Sequence, residues 1–481
     1  MTDAVALARG VVMAGVVGSN VDASLPHFGG YLLFPEEGAS LGEVRALTDR
    51  LRARHGDPPP VIAIDQEGGA VSRLRVGVEP IPSMMALGAA DDLELARAAG
   101  VQLGFDLRRA GCTLDCAPVL DLALEPESTV IGTRSFGADP QRVASLGAAL
   151  AGGLRASGIL PCFKHFPGHG ATPADSHAAL PIVDVDAATL RARDLVPFAA
   201  VAAGAAAMMS AHVVVRAFDS QRPATLSHRI LSDLLRGELG FDGALLSDCL
   251  EMNAIAERSS VSSAIEALAA GVDLLIFSHD DALAADAAAA IAAAVAQGAL
   301  PLPRLQEAHA RAMRLREAGA VPLPLDGLAP HQGIGREIAR RAVTLVRGLP
   351  HADPVASIAI SFGGAGTPLH REAPALAEFA ASIDPAPEEI DSILSAIAER
   401  RRRPLLLSRR AHQHGAQAAA IARILDRYPD ALVVSLLEPF DLPLFDGARH
   451  LLATCGDGEI SIAGLADVIF GGTMPSGRLP V

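Results

Sequence analysis

Residues 159–170 read Ile-Leu-Pro-Cys-Phe-Lys-His-Phe-Pro-Gly-His-Gly. Five residues without charge, Ile159–Phe163, run straight into a lysine and a histidine. A continuous apolar run of this length suits a strand buried on both faces, as in a parallel sheet. Six more such runs lie in the first two-thirds of the chain: Gly30–Phe34, Val61–Ile64, Thr113–Val119, Ala206–Met209, Gly243–Leu246 and Val272–Phe277. An eighth lies within Val11–Val17. Between them come Ala-, Leu- and Arg-rich stretches of helical period, such as Leu93–Arg109 and Pro140–Ala156. This alternation predicts an α/β fold, a (β/α)₈ TIM-like barrel.

The last third is again α/β. Ala356–Ser361, Pro404–Ser408, Leu432–Leu436 and Leu451–Ala453 read as strands of a smaller doubly wound domain. Several Pro and Gly residues in Val321–Gly335 mark a connection, and a helix is expected over Arg336–Val343. The expected division is a barrel over 1–325, a linker over 326–345 and a second domain over 346–481. Gly363-Gly364-Ala365-Gly366 reads as a tight turn after a strand rather than a phosphate loop.

Composition narrows the function. The chain has 481 residues and a formal net charge of −15, which disfavours a nucleic-acid partner. The run Arg400–Arg403 reads as a solvated helix end. No apolar stretch of 18 or more residues lacks both charge and chain breakers, so no membrane span is expected. The first residues, MTDAVALARGVVMAGVVG, lack a basic region followed by an apolar block and a cleavage site. Five scattered cysteines look like reduced thiols. A cytoplasmic protein is expected, with no partner beyond a small ligand. With no Trp and only two Tyr, that ligand would be gripped by hydrogen bonds more than by ring stacking.

Ionisable residues cluster where the predicted strands end. Asp65-Gln66-Glu67, Asp121 with Arg134 further along its loop, Lys164-His165, His212 and Asp248 each follow a different run. Barrel enzymes build their sites at that end of the strands. His165 and His169 stand four apart, but Pro167 and Gly168 break any helix that would pair them on a metal, so neither metal nor cofactor is expected. His169 is expected to tie down its turn by hydrogen bonds. Asp175 and His177 are two apart, so in an extended loop the carboxylate can orient the imidazole as a general acid/base. Asp248, within Ser247–Met252, reads equally as a reactive carboxylate or as a helix N-cap.

The segments IDQEGGAVSRLR (64–75), APVLDL (117–122), GTRSF (132–136), KHFPGHG (164–170), DSH (175–177), MSAHV (209–213) and ELGFDGALLSDCLEM (238–252) occur in one order and spacing. Together they resemble glycoside hydrolase family 3, in particular its β-N-acetylglucosaminidase branch, the NagZ-like enzymes of bacterial cell-wall recycling. The ending GGTMPSGRLPV (471–481) resembles the two-domain form. The resemblance implies a retaining hydrolase that removes terminal N-acetylhexosamine. It implies Asp248 as nucleophile, His177 as acid/base and Asp175 as its partner. It places Asp65, Arg73, Arg134, Lys164 and His165 against the sugar hydroxyls, with Met209 and His212 near the same pocket. In the family's β-glucosidases and xylosidases a Glu of the second domain replaces the histidine and the D-S-H element is missing. Cys249 stands where relatives often have Asp or Ala, and is expected to affect packing only. A phosphorylase remains the alternative, because a histidine acid/base does not repel phosphate as a carboxylate would. A glycan-binding module without activity would have lost part of this set.

Overall fold

The eight apolar runs become the eight strands of one closed, all-parallel barrel in sequence order. They are β1 Val12–Val17, β2 Gly30–Phe34, β3 Val61–Ile64, β4 Leu114–Asp115, β5 Leu160–Phe166, β6 Ala207–Ser210, β7 Ala244–Cys249 and β8 Leu274–Phe277. The computed structural model describes residues 2–18, 26–172, 180–252, 259–321, 330–363 and 368–481.

The strand period of two divides each run between two cores. Met13, Leu32, Val61, Ala63, Ala207, Met209, Ala244, Leu246, Leu274 and Ile276 fill the inside of the barrel. Their neighbours Val12, Ala14, Leu33, Ile62, Ile64, Met208, Leu245, Leu275 and Phe277 pack outward against the helices. That is why the runs read as continuously apolar. The helices carry local signals of their own. Leu93–Ala110 is capped by Asp92, whose side chain accepts the N–H groups of Glu94 and Leu95, and it ends on Gly111 at φ 81°.

Two strands differ from expectation. The Thr113–Val119 run forms a ladder at Leu114–Asp115 and one further isolated bridge, from Val119 to Lys164. Pro118 has no N–H for a ladder, and the chain then leaves the barrel for a long loop. In contrast β5 and β7 extend past their apolar runs, so Lys164, His165 and Asp248 sit on the last pleats of strands, not after them.

A six-stranded sheet follows: β9 Thr344–Arg347, β10 Ser357–Phe362, β11 Ala377–Ala381, β12 Arg403–Ser408, β13 Leu432–Ser435 and β14 His450–Ala453. Its order is β9-β14-β13-β12-β10-β11, with β9 antiparallel and the rest parallel. The five parallel strands run 2-1-3-4-5, a doubly wound order. The edge strands β9 and β11 escaped the sequence reading because they are short and partly exposed. β9 begins inside the stretch expected to be linker. The helix Ile334–Ala342 packs on Met84–Ala90 of the barrel and on Glu459–Ile469 of the second domain. Gly464 permits that crossing, since a Cβ there would lie 2.5 Å from the backbone of Ala339. Gly363 turns at φ 78°, while Gly364, Ala365 and Gly366 lie outside the described residues.

The arginine run is only half solvated. Arg400 and Arg401 are exposed, but Arg402 donates to the carbonyls of Ser357 and Ala375, and Arg403 to those of His351 and Asp430. Among the described residues no helix is long and apolar enough to cross a membrane.

The N-terminal end of the barrel is closed by charge. Buried Asp273, just before β8, accepts from Arg236 at 2.6 Å, from Arg304 at 2.8 Å and from the Leu245 N–H at 3.0 Å. Arg311 approaches at 3.7 Å. Removing the carboxylate strands these cations, a loss of about 3–5 kcal/mol. Asp273→Ala should therefore lower the unfolding free energy from urea melts by that much, while KM of the folded fraction stays unchanged. An unfolding free energy within about 1 kcal/mol of wild type would refute this role.

Candidate active site

The same strand alternation that fills the barrel delivers charge to its mouth. Val61 and Ala63 point inward, so Asp65 does too; Cys162 precedes Lys164 in this way, and Ala244 and Leu246 precede Asp248. A cavity of about 550 Å³ opens there, lined among others by Asp65, Arg73, Arg134, Lys164, His165, Met209 and Asp248. Seven of the ten residues singled out from the sequence therefore meet in one cavity. Asp175 and His177 lie outside the described residues. His212 is fully buried and does not line the cavity. It stands behind Asp248, with Nε2 2.9 Å from the Cys249 carbonyl and Nδ1 2.9 Å from Thr225 Oγ1.

An ion network organises the floor. Lys164 Nζ lies 2.7 Å from Asp65 Oδ1 and 2.6 Å from Glu67 Oε1. Glu67 also receives a two-pronged contact from Arg134, Nε to Oε2 at 2.8 Å and Nη2 to Oε1 at 2.7 Å. Glu67 is only 1% exposed. Burial would raise its carboxyl, but Arg134 and then Lys164 outweigh burial and hold it far below the ordinary range. Burial likewise works against the charged Lys164, and Asp65 and Glu67 reverse that, raising its ammonium well above the usual value.

Asp248 is half-buried and faces the cavity. Burial alone would push its carboxyl up. His212, then His165, the Cys249 N–H and Lys164 together bring it below the ordinary carboxylate range. Its Oδ1 accepts the Cys249 N–H at 2.7 Å. The N-cap reading does not hold among the described residues: the helix Ser260–Ala270 is capped by Ser259. Cys249 lines the cavity and donates to Glu251 at 3.4 Å, and burial pushes its thiol up to about 11, so it is neutral.

Three residues were undervalued in the sequence. Glu67 was seen only as the third member of Asp65-Gln66-Glu67, although it neutralises both cations. Asp121, fully buried, binds His165 Nδ1 at 2.6 Å and the His165 and His169 N–H groups at 3.2 and 2.6 Å. A carboxylate at the end of APVLDL, opposite two histidines, was the available signal. His169 was expected to tie down its turn. Its backbone N–H does so through Asp121, but among the described residues its ring nitrogens have no hydrogen-bond partner, although the residue is 3% exposed and lines the cavity. Burial lowers its pKa, so the ring is neutral and offers one donor and one acceptor. One aromatic wall exists after all: Phe34 lies under the Arg73 guanidinium at 5.4 Å and beside His279. No group of three His, Cys, Asp or Glu among the described residues is arranged around a metal.

The family model described as the glycosyl hydrolase family 3 N-terminal domain matches residues 7–315. The chain belongs to glycosyl hydrolase family 3. A β-hexosaminidase of Chromobacterium violaceum is 42% identical over 284 residues, covering 56% of this chain and 79% of that protein. The solved structure of a family 3 β-N-acetylglucosaminidase from Paenibacillus sp. FPU-7 superposes with a TM-score of 0.89 at 32% identity, over 98% of both chains. NagZ from Neisseria gonorrhoeae, solved with N-trifluoroacetyl-D-glucosamine, gives 0.55 at 31% identity over 64% of this chain and 98% of that one. The protein is a glycosidase, built as a barrel with a second α/β domain.

Because Glu67 is held below the range of a free carboxyl, its ion pairs stabilise the fold at pH values above the unfolded pKa of about 4.3. That contribution is lost as pH falls below it toward the depressed folded value. Wild-type stability should therefore fall between about pH 5 and 2. Glu67→Gln should be less stable at pH 7 and show a shallower acid limb in urea melts. Parallel acid limbs would contradict the ion-pair account.

Proposed function

We propose that this glycosidase is a retaining β-N-acetylhexosaminidase that releases terminal, non-reducing β-linked N-acetylglucosamine from short glycans or muropeptides. In this reading Asp248 attacks the anomeric carbon and forms a covalent glycosyl-enzyme. His177, protonated and oriented by Asp175, gives its proton to the departing oxygen. It then takes a proton from water, and the released sugar keeps its β configuration. Peptidoglycan recycling in the cytoplasm is the role that goes with it.

The observation that carries the proposal is Asp248 itself. It is a carboxylate facing the cavity, held below the ordinary range against its burial by His212, His165, the Cys249 N–H and Lys164, and among the described residues it forms no ion pair. An ionised carboxylate with an open approach is what nucleophilic displacement requires. The cavity volume lies within the range of small-ligand pockets. Asp65, Arg73, Arg134, Lys164 and His165 supply hydrogen bonds for sugar hydroxyls, and the ring of His169, without a partner among the described residues, supplies two more valences. The names carried by the Chromobacterium and Paenibacillus relatives support the N-acetylhexosamine specificity, as does the D-S-H element.

Asp248→Ala should lower kcat on an aryl N-acetyl-β-glucosaminide by at least about 10³-fold, within the range measured for lost nucleophiles. Acid-quenched wild-type turnover should leave a sugar-sized mass on the peptide holding Asp248. Near-normal turnover by the variant would refute the assignment. His177→Ala should lose about 10²–10⁴-fold on poor leaving groups and far less on a nitrophenol, which needs no proton. A uniform loss across leaving groups would remove His177 as the acid. Products should be the free sugar in both phosphate and phosphate-free buffer, and a sugar 1-phosphate would overturn hydrolysis.

A further inference from the structure

Among the described residues the second domain places no side chain in the catalytic cavity, yet it grips the loop that carries Arg134. That loop leaves the barrel after β4 and returns at the helix Pro140–Ala156. It is held at three points. The Pro126 carbonyl accepts from His412 Nε2 and Gln413 Nε2, both at 2.9 Å. The Ala138 N–H donates to the Pro480 carbonyl at 2.9 Å. Between these, the Thr133 N–H donates to Glu438 Oε1 at 3.0 Å.

The third contact is the tightest built. Glu438 is 2% exposed, and its carboxylate is bridged by Arg410, Nη2 to Oε1 at 2.7 Å and Nε to Oε2 at 2.8 Å. Arg410 thus holds the acceptor in place for Thr133. Gly132, at φ 45°, lets the turn approach, since a Cβ there would lie 2.1 Å from Glu438 Oε1. The next residue is Arg134, on the same single turn Gly132–Arg134. Its guanidinium binds Glu67, which binds Lys164, which binds Asp65. An unbroken series of charged contacts and one turn therefore runs from the second domain to the floor of the cavity.

We propose that Glu438, clamped by Arg410, is a positioning residue of the second domain that sets Arg134 for binding the sugar. This rests on the proposed role of Arg134 as a sugar-holding residue. A ligand-holding group displaced by about 1 Å can cost up to about 10²-fold, so loss of the buttress is read in kcat/KM and not only in stability.

The test is a double-mutant cycle on the full chain with an aryl N-acetyl-β-glucosaminide. Glu438→Gln removes the charge that Arg410 clamps while keeping the shape. Gly132→Ala pushes the turn off Glu438 while every residue of the second domain keeps its identity, and decides the matter should the first variant fail to fold. Each should lower kcat/KM by about 10- to 100-fold. Combined with Arg134→Ala, each should add less than about 2-fold, because the effect travels through Arg134. Full multiplication of the two losses, or no loss from Glu438→Gln and Gly132→Ala in soluble protein, overturns the proposal. Unchanged kcat/KM in Arg134→Ala alone would instead strike the sugar-holding role, a separate failure.

Discussion

The Lys164 ammonium sits at the barrel mouth with 3% of its side chain exposed, and much of the site follows from keeping it charged there. Moving such an ion out of water costs several kcal/mol unless close partners compensate. Asp65 and Glu67 are those partners, both inward-facing at the end of β3. Two carboxylates around one ammonium leave a surplus negative charge, and Arg134 meets it through Glu67. The cluster is charge-balanced, and among the described residues Asp248 stands outside it. A buried network of this kind is weak evidence for stability. Its value is that each donor is held in one place before a ligand arrives, so little reorganisation is needed when one binds.

The two ends of the barrel use charge differently. At the N-terminal end Asp273 gathers arginines from the surrounding helices and leaves no group open to a cavity. At the C-terminal end the Asp65-Glu67-Lys164-Arg134 network borders the cavity. Asp121 shows how the second arrangement is maintained. By accepting two backbone N–H groups and one ring N–H, it fixes both His165 and His169 while exposing neither carboxylate oxygen to the cavity. The His169 ring, without a partner among the described residues, fits that grip: the backbone is tied and the side chain is left to face the cavity. An unsatisfied buried polar group costs about 1–3 kcal/mol, which a bound hydroxyl or amide would return.

The second domain fits this picture as support. Its sheet is a doubly wound unit with its own apolar cores on either face. Its contacts with the barrel fall on the Met84–Ala90 helix and on the loop between β4 and the Pro140–Ala156 helix. The second of these carries a cavity residue. Attaching a rigid unit to a long loop lowers the freedom of that loop at the place where a side chain has to be held still.

The fold and much of the cavity were legible in the sequence, because both are encoded locally. A strand buried on two faces must be apolar along its length, so eight runs in order announced the barrel. The polar residue that ends a run inherits the inward direction of the residue two before it, which is why Asp65, Lys164 and Asp248 could be named. Strand ends were less legible, since a ladder can continue through Lys164 and His165 once their side chains find partners. What only the tertiary structure decided are pairings between distant segments. Glu67 meets Arg134 across 67 residues and Thr133 meets Glu438 across 305. His212 lies behind Asp248, not in the cavity with it, and the His169 ring is left without a partner among the described residues. No local pattern records these, because a charge in a sequence states only that it needs a partner, and closure of the barrel and docking of the second domain determine which partner it receives.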